Sequence, residues 1–223
     1  MTYDLVIFDF DGVVVDSETL ANQVLADELT ALGCPTSLDE AFDTYMGFGW
    51  TDCLLKVEAR WGAVPAELRP RVDAMMTARL PAELRPVTGV EAFLERLGTL
   101  PRCIASSSQP EWLSSRLAMF GLDPHFGDRL FSAALHVKRS KPHPDIYLHA
   151  AEAMGVAPSR ALVIEDSPIG VRAGVAAGMT VVGLLAGTHI RDGHADRLRD
   201  AGAHHLATSF DEIAELIGLR ETA

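Results

Sequence analysis

Leu5-Val6-Ile7-Phe8-Asp9-Phe10-Asp11-Gly12 decides the fold. Four apolar residues in a row, closed by two acids and a glycine, read as a short strand buried on both faces, as in a parallel sheet. Similar runs recur at Cys103-Ile104-Ala105, Leu162-Val163-Ile164 and Thr180-Val181-Val182-Gly183-Leu184. Between them, helical patterns span Pro110 to Phe120, Asp145 to Met154 and Pro168 to Ala177. Each has Pro at or just before its start and Gly just past its end, and Ser167 reads as an N-cap. Strand and helix alternating after residue 86 predict an α/β fold, a doubly wound parallel sheet of Rossmann-like architecture.

Residues 17–85 follow another pattern. Leu20, Val24, Leu25, Leu29 and Leu32 keep helical spacing until Gly33, and Ser37 to Glu40 forms a capping-box pattern. Helical segments are also predicted over 51–61 and 65–80, and no buried-strand run interrupts them. The expected organisation is a catalytic core domain of residues 1–16 and 86–223, with an α-helical cap domain of residues 17–85 inserted after the first strand.

Of 223 residues, 48% are hydrophobic and 22% charged, which is ordinary for a globular chain and excludes wholesale disorder. The net charge of −12 argues against a nucleic-acid or anionic-membrane partner, since both need a basic footprint. A small phosphorylated ligand, which meets only its own pocket, stays open. Cys34, Cys53 and Cys103 match no disulfide or zinc spacing, and Met1-Thr2-Tyr3-Asp4 carries no basic leader, so a cytoplasmic location is expected. Oligomeric state is not legible in the sequence.

Ligands of doubly wound sheets bind beyond the carboxyl ends of the strands, and polar residues gather there. Asp9 and Asp11 follow the first run, Ser106-Ser107-Ser108 the second and Glu165-Asp166 the third. Lys141 precedes a helix, in a chain with only three lysines against sixteen arginines. Four carboxylates at one rim repel one another, and a hard divalent cation is the physical remedy. Mg2+ suits the site because it accepts a few oxygens and keeps its waters. A helix cap or a solvated turn explains any one of these acids alone, but not the whole set.

Asp9-Phe10-Asp11-Gly12-Val13-Val14-Val15-Asp16-Ser17 resembles the first motif of the haloacid dehalogenase superfamily. Ser106, Lys141-Pro142 and Glu165-Asp166 resemble its second, third and fourth motifs, in order, so the resemblance covers nearly the whole chain. It implies that Asp9 is the nucleophile, forming an aspartyl phosphate, and that Asp11 is the general acid and then the base. Asp9, the backbone carbonyl of Asp11, and Asp166 would hold Mg2+, with Glu165 a direct or indirect ligand. Ser106, Ser107 and Lys141 would bind the phosphate. Asp16 reads as a turn residue.

The implied activity is hydrolysis of small phosphomonoesters: sugar phosphates, sugar-acid phosphates, phosphoglycolate or nucleotides. The superfamily's hexose-phosphate mutases carry a His and an Arg in the cap where this chain has Ala21 and Trp50. A mutase is therefore the alternative, and a receiver-like phospho-aspartate module is a more distant one. Asp11 argues against carbon–halogen cleavage, and Lys56 reads as a solvated helix residue rather than a Schiff-base lysine. Gly47-Phe48-Gly49-Trp50-Thr51-Asp52 resembles the cap's substrate-specificity loop, and Gly47, Trp50 and Ser108 are the candidates for substrate selection.

Arg60, Arg69 and Arg71 are candidate partners for a substrate carboxylate. His143 is a candidate neighbour of the site, whereas His189 and His194 are expected on the surface or in loops. Trp61, Trp112 and Phe120 read as core. Gly170, Gly174 and Gly178 are expected to let a helix pack closely on the sheet.

Overall fold

The four apolar runs form the centre of a single sheet. The computed structural model describes residues 3–219, so Met1 and Thr2 lie outside the described residues. β1 (Leu5–Phe8) leads into four helices, α1 (Glu18–Ala31), α2 (Leu38–Tyr45), α3 (Trp50–Trp61) and α4 (Leu68–Glu83). There follow α5 (Val90–Arg96), β2 (Arg102–Ser106), α6 (Pro110–Phe120), α7 (Asp123–Phe126), β3 (Leu130–Ser132), α8 (Ala133–His136) and α9 (Asp145–Ala153). β4 (Ala161–Glu165), α10 (Pro168–Ala176), β5 (Thr180–Leu184), α11 (His194–Asp200), β6 (His205–Ala207) and α12 (Phe210–Leu216) complete the order.

All neighbouring strands are parallel, in the order β3-β2-β1-β4-β5-β6. Successive side chains of β1 alternate between two cores: Val6 and Phe8 pack on one face with α5, α6 and α12, and Leu5 and Ile7 on the other with α9 and α10. From β1 the chain builds outward to β3, then returns to build β4 to β6 on the other side. The strand order therefore reverses between β1 and β4, the crevice where doubly wound sheets bind ligands.

The inserted helices pack mainly as α1 on α2 and α4, with α2 on α3. Their apolar side chains continue the core of one sheet face without a break. The two crossings lie side by side, since Asp16 N donates to Arg85 O (2.9 Å) and Val87 N to Val14 O (3.0 Å). The capping box is present: Ser37 Oγ accepts from Glu40 N, and Glu40 Oε2 from Ser37 N. Asp16 accepts from Thr188 N and Oγ1, a structural role at the turn.

Some expectations need correction. α4 starts at Leu68 rather than Pro65, because Pro65 to Leu68 close a turn, and it runs on through Pro81. Of the three glycines, Gly174 packs closely on the sheet, where an added Cβ would stand 2.7 Å from Val181 Cγ2. Gly170 instead makes room for the Glu165 carboxylate, 1.5 Å from such a Cβ, while Gly178 has nothing near it and closes the helix at φ +73. The three cysteines are free. No helix among the described residues is long and apolar enough to cross a membrane.

Candidate active site

Every strand-end residue singled out above reaches one cleft at the carboxyl ends of β1, β2 and β4. A cavity of about 340 Å³ is lined there by Asp9, Asp11, Ser106, Ser107, Ser108, Lys141, Glu165 and Asp166, together with Gly47 and Trp50 from the insertion. Lys141 Nζ donates to Asp9 Oδ1 at 2.6 Å and to Glu165 Oε1 at 2.8 Å. Burial pushes the Asp9 carboxyl well above its ordinary value; Glu165 and Asp166 add to the rise and Lys141 opposes it. The Lys141 ammonium itself stays charged, because Asp9 and Glu165 outweigh the effect of burial.

Glu165 is wholly buried yet well supplied with donors. Its Oε1 also accepts from the Tyr147 hydroxyl (2.8 Å), and its Oε2 from Asp166 N (3.0 Å), Ser167 N (3.0 Å) and Ser167 Oγ (2.9 Å). Burial alone would raise its pKa, but Lys141 and these donors hold it below the ordinary value. Tyr147 sits six residues past Lys141 on α9. Sequence reasoning missed it, because a tyrosine on an apolar helix face looks like plain core.

Asp11 is held by three side chains. Ser17 Oγ (2.6 Å) and the Trp112 indole Nε1 (3.0 Å) donate to its Oδ1, and Ser108 Oγ (2.6 Å) to its Oδ2. Trp112 is thus half-buried, its ring packed against the core and its N–H at the site. The position of α6 explains this, since its first turn opens directly off the Ser106-Ser107-Ser108 loop.

His189 and His194 also depart from expectation, being 1% and 0% exposed. His189 Nε2 lies 2.8 Å from Asp166 Oδ2, and His194 Nε2 lies 2.6 Å from the Asp166 carbonyl oxygen. Burial works to lower the His189 pKa, but the Asp166 carboxylate outweighs it and the value is raised. His194 is lowered, by burial and then by its charged neighbour His189. Asp166 is raised, chiefly by burial. The strand-end rule, extended to the loop after β5, points to His189. His143 is exposed and does not line the cleft.

The sequence model of the haloacid dehalogenase-like hydrolases matches residues 3–178. The chain belongs to the haloacid dehalogenase-like hydrolases. It is 29% identical over 215 residues to 6-phosphogluconate phosphatase of Escherichia coli, covering 96% of this chain and 92% of that one. It is 35% identical over 180 residues to hexitol phosphatase B of the same organism, covering 78% and 79%. A haloacid dehalogenase-like protein of unknown function from Agrobacterium tumefaciens superposes with a TM-score of 0.85 at 40% identity, covering 97% and 98% of the two chains. As an enzyme, this haloacid dehalogenase-like hydrolase is a phosphoric monoester hydrolase.

In this hydrolase the inserted helices roof the cleft. Gly47 rests against Ser167, where an added Cβ would stand 3.3 Å from the serine Cβ, and Phe48, Gly49 and Trp50 line the opening. Of the three candidate arginines, Arg60 pairs with Glu40 and Arg71 with Glu28, outside the cleft, while Arg69 lines it. Lys56 lies with its Nζ 4.1 Å from the centre of the Phe48 ring and does not line the cleft. One carboxylate oxygen from each of Asp9, Glu165 and Asp166 lies within 4.8 Å of the others, an all-oxygen donor set that fits a hard divalent cation.

Proposed function

We propose that this enzyme is a Mg2+-dependent phosphatase of small phosphomonoesters that works through an aspartyl phosphate on Asp9. The observation that carries the reading is the contact of Asp9 with Lys141 inside a buried acidic cluster, with Asp11 on the same cavity wall. Residues 17–85 serve as the cap domain of a catalytic domain made of residues 1–16 and 86–223.

Asp9, Asp166 and the backbone carbonyl of Asp11 hold the metal. Glu165 is the indirect member, because its two oxygens already accept five donors and it serves to fix Lys141. Bound Mg2+ supplies charge neutralisation for the phosphoryl oxygens and keeps Asp9 ionised. Lys141, Ser106 and Ser107 bind those oxygens and orient phosphorus toward the Asp9 carboxylate.

A carboxylate oxygen of Asp9 bonds to phosphorus as the bond to the ester oxygen breaks, and Asp11 gives its proton to that leaving oxygen. The alcohol departs. Asp11 then takes a proton from water, whose oxygen attacks phosphorus and frees Asp9 and inorganic phosphate. The insertion excludes bulk water during the first step.

The substrate is a small phosphorylated metabolite, in keeping with the names of the two curated relatives. Nucleic acid is disfavoured by the charge of −12. A mutase reading is disfavoured by Ala21, which lines the cavity beyond Asp11 with no group able to exchange a proton. Three free, buried thiols suit a cytoplasmic, reducing location. Hydrolysis of an aryl phosphate tests the proposal: Asp9→Asn and Asp11→Asn should each abolish turnover, and a chelator should abolish it reversibly. Full activity in either variant contradicts it.

A further inference from the structure

The cleft continues past Asp11. A second cavity of about 230 Å³ runs from Asp11 and Ser108 into the insertion, sharing Glu18, Phe48, Trp50 and Trp112 with the outer one. The proton donor must lie beside the oxygen that leaves, so a chamber opening at Asp11 is where the leaving alcohol sits.

Its walls are selective by charge. Asp11 and Glu18 are the carboxylates that line it, and among the described residues no lysine, arginine or histidine does. Glu18 is fixed by the buried Asn22, whose Nδ2 donates to Glu18 Oε2 (3.1 Å) and to the Glu18 carbonyl (2.8 Å). Aromatic and aliphatic side chains fill most of the remaining wall, among them Trp50, Trp112 and Met76. Few fixed polar groups on an apolar wall orient a ligand through its hydroxyls while its carbon skeleton packs.

A carboxylate or second phosphate on the leaving group would lie against two acids with no cation to receive it. Arg69 lines only the outer cavity, donates to Asp73 Oδ2 at 2.6 Å and lies over the Trp50 ring at 4.7 Å.

We propose that the inner cavity takes the neutral, polyhydroxylated part of a sugar or polyol monophosphate and rejects esters that carry a second anionic group. The inference rests on the phosphatase reading and sharpens it, because the two curated relatives name one substrate of each kind and do not choose.

The test uses the Mg2+-loaded enzyme and three esters: a six-carbon polyol monophosphate, its counterpart with a terminal carboxylate, and an aryl phosphate. The polyol ester is expected to have a kcat/KM roughly tenfold or more above the carboxylate ester. Glu18→Ala should lower kcat/KM for the polyol ester by about tenfold relative to the aryl ester. Glu18→Arg should shift the preference toward the carboxylate ester.

Equal or better turnover of the carboxylate ester by the wild-type enzyme, lost in Arg69→Ala, overturns the proposal and assigns the anion to the outer cavity. A Glu18→Ala effect equal on polyol and aryl esters overturns it as well. Should the Glu18 variants fail to fold, the wild-type ratio alone decides. Failure to hydrolyse any of the three, the aryl ester included, instead removes the phosphatase reading beneath it.

Discussion

The indole N–H of Trp112 donates to Asp11 Oδ1 at 3.0 Å, across 101 residues of chain. The same oxygen accepts from Ser17, at the edge of the insertion, and the other carboxylate oxygen accepts from Ser108. The group assigned to carry the proton is thus aimed jointly by the insertion and the core. The Arg116 guanidinium lies over the Trp112 ring, 4.4 Å from its centre.

Trp112→Phe keeps the ring and removes the donor. A hydrogen bond of this kind contributes about 1 kcal/mol and also aims the carboxyl, so kcat on an aryl phosphate should fall roughly fivefold to tenfold. Thermal unfolding should change little, and an equal loss of stability and activity would mean that the ring only packs.

Gly12 allows the first motif to turn under Asp166. Its φ is +81, and an added Cβ would stand 1.9 Å from Asp166 Oδ2. Gly12→Ala therefore strains the backbone and displaces a carboxylate of the proposed metal site at once. We expect about 2 kcal/mol or more of lost stability by denaturant titration, and a Mg2+ affinity weaker by about 10–100-fold by calorimetry.

Tyr147 is the concealed support of the site. Tyr147→Phe leaves Glu165 Oε1 with Lys141 as its remaining side-chain donor, in a wholly buried position. The expected cost is about 1–2 kcal/mol in unfolding free energy, with a smaller loss in kcat because Lys141 still reaches Asp9.

The parts of this fold that were legible in the sequence share one cause. β1, β2, β4 and β5 lie inside the sheet, so burial on both faces writes an unbroken apolar run. β3 and β6 are three-residue edge strands, and exposed His205 in β6 leaves no such run. The acids, serines and lysine at strand ends were readable because the strand-end rule is local. Trp112 and Tyr147 act through partners fixed only by the tertiary fold, so an apolar helix face carried no sign of them, whereas His189 follows once the strand-end rule is carried to the loop after β5. Ser37 and Glu40 form a contact short enough to read directly from their spacing.

That capping box gives a prediction of pH dependence. Glu40 is held down to about 2, first by the Ser37 N–H, then by Arg60 and the Ser37 hydroxyl. Its folded-state pKa lies below the ordinary 4.5, so its contribution is present above that pH and is lost as pH falls toward 2. Glu40→Gln should lower the melting temperature slightly at pH 7, and the difference from wild type should shrink steadily below pH 4.5. A difference independent of pH would mean that the charge of Glu40 contributes nothing.

In the proposed reaction the phosphoryl group passes through Asp9. The most direct measurement is to mix Mg2+-loaded enzyme with an aryl phosphate, quench in acid within one turnover, and map added phosphoryl mass along the digested chain. A single phosphoryl group on the peptide bearing Asp9, absent from Asp9→Asn, is the predicted result. Phosphate release with no phosphoryl group on the chain, or with the group on another residue, would contradict it.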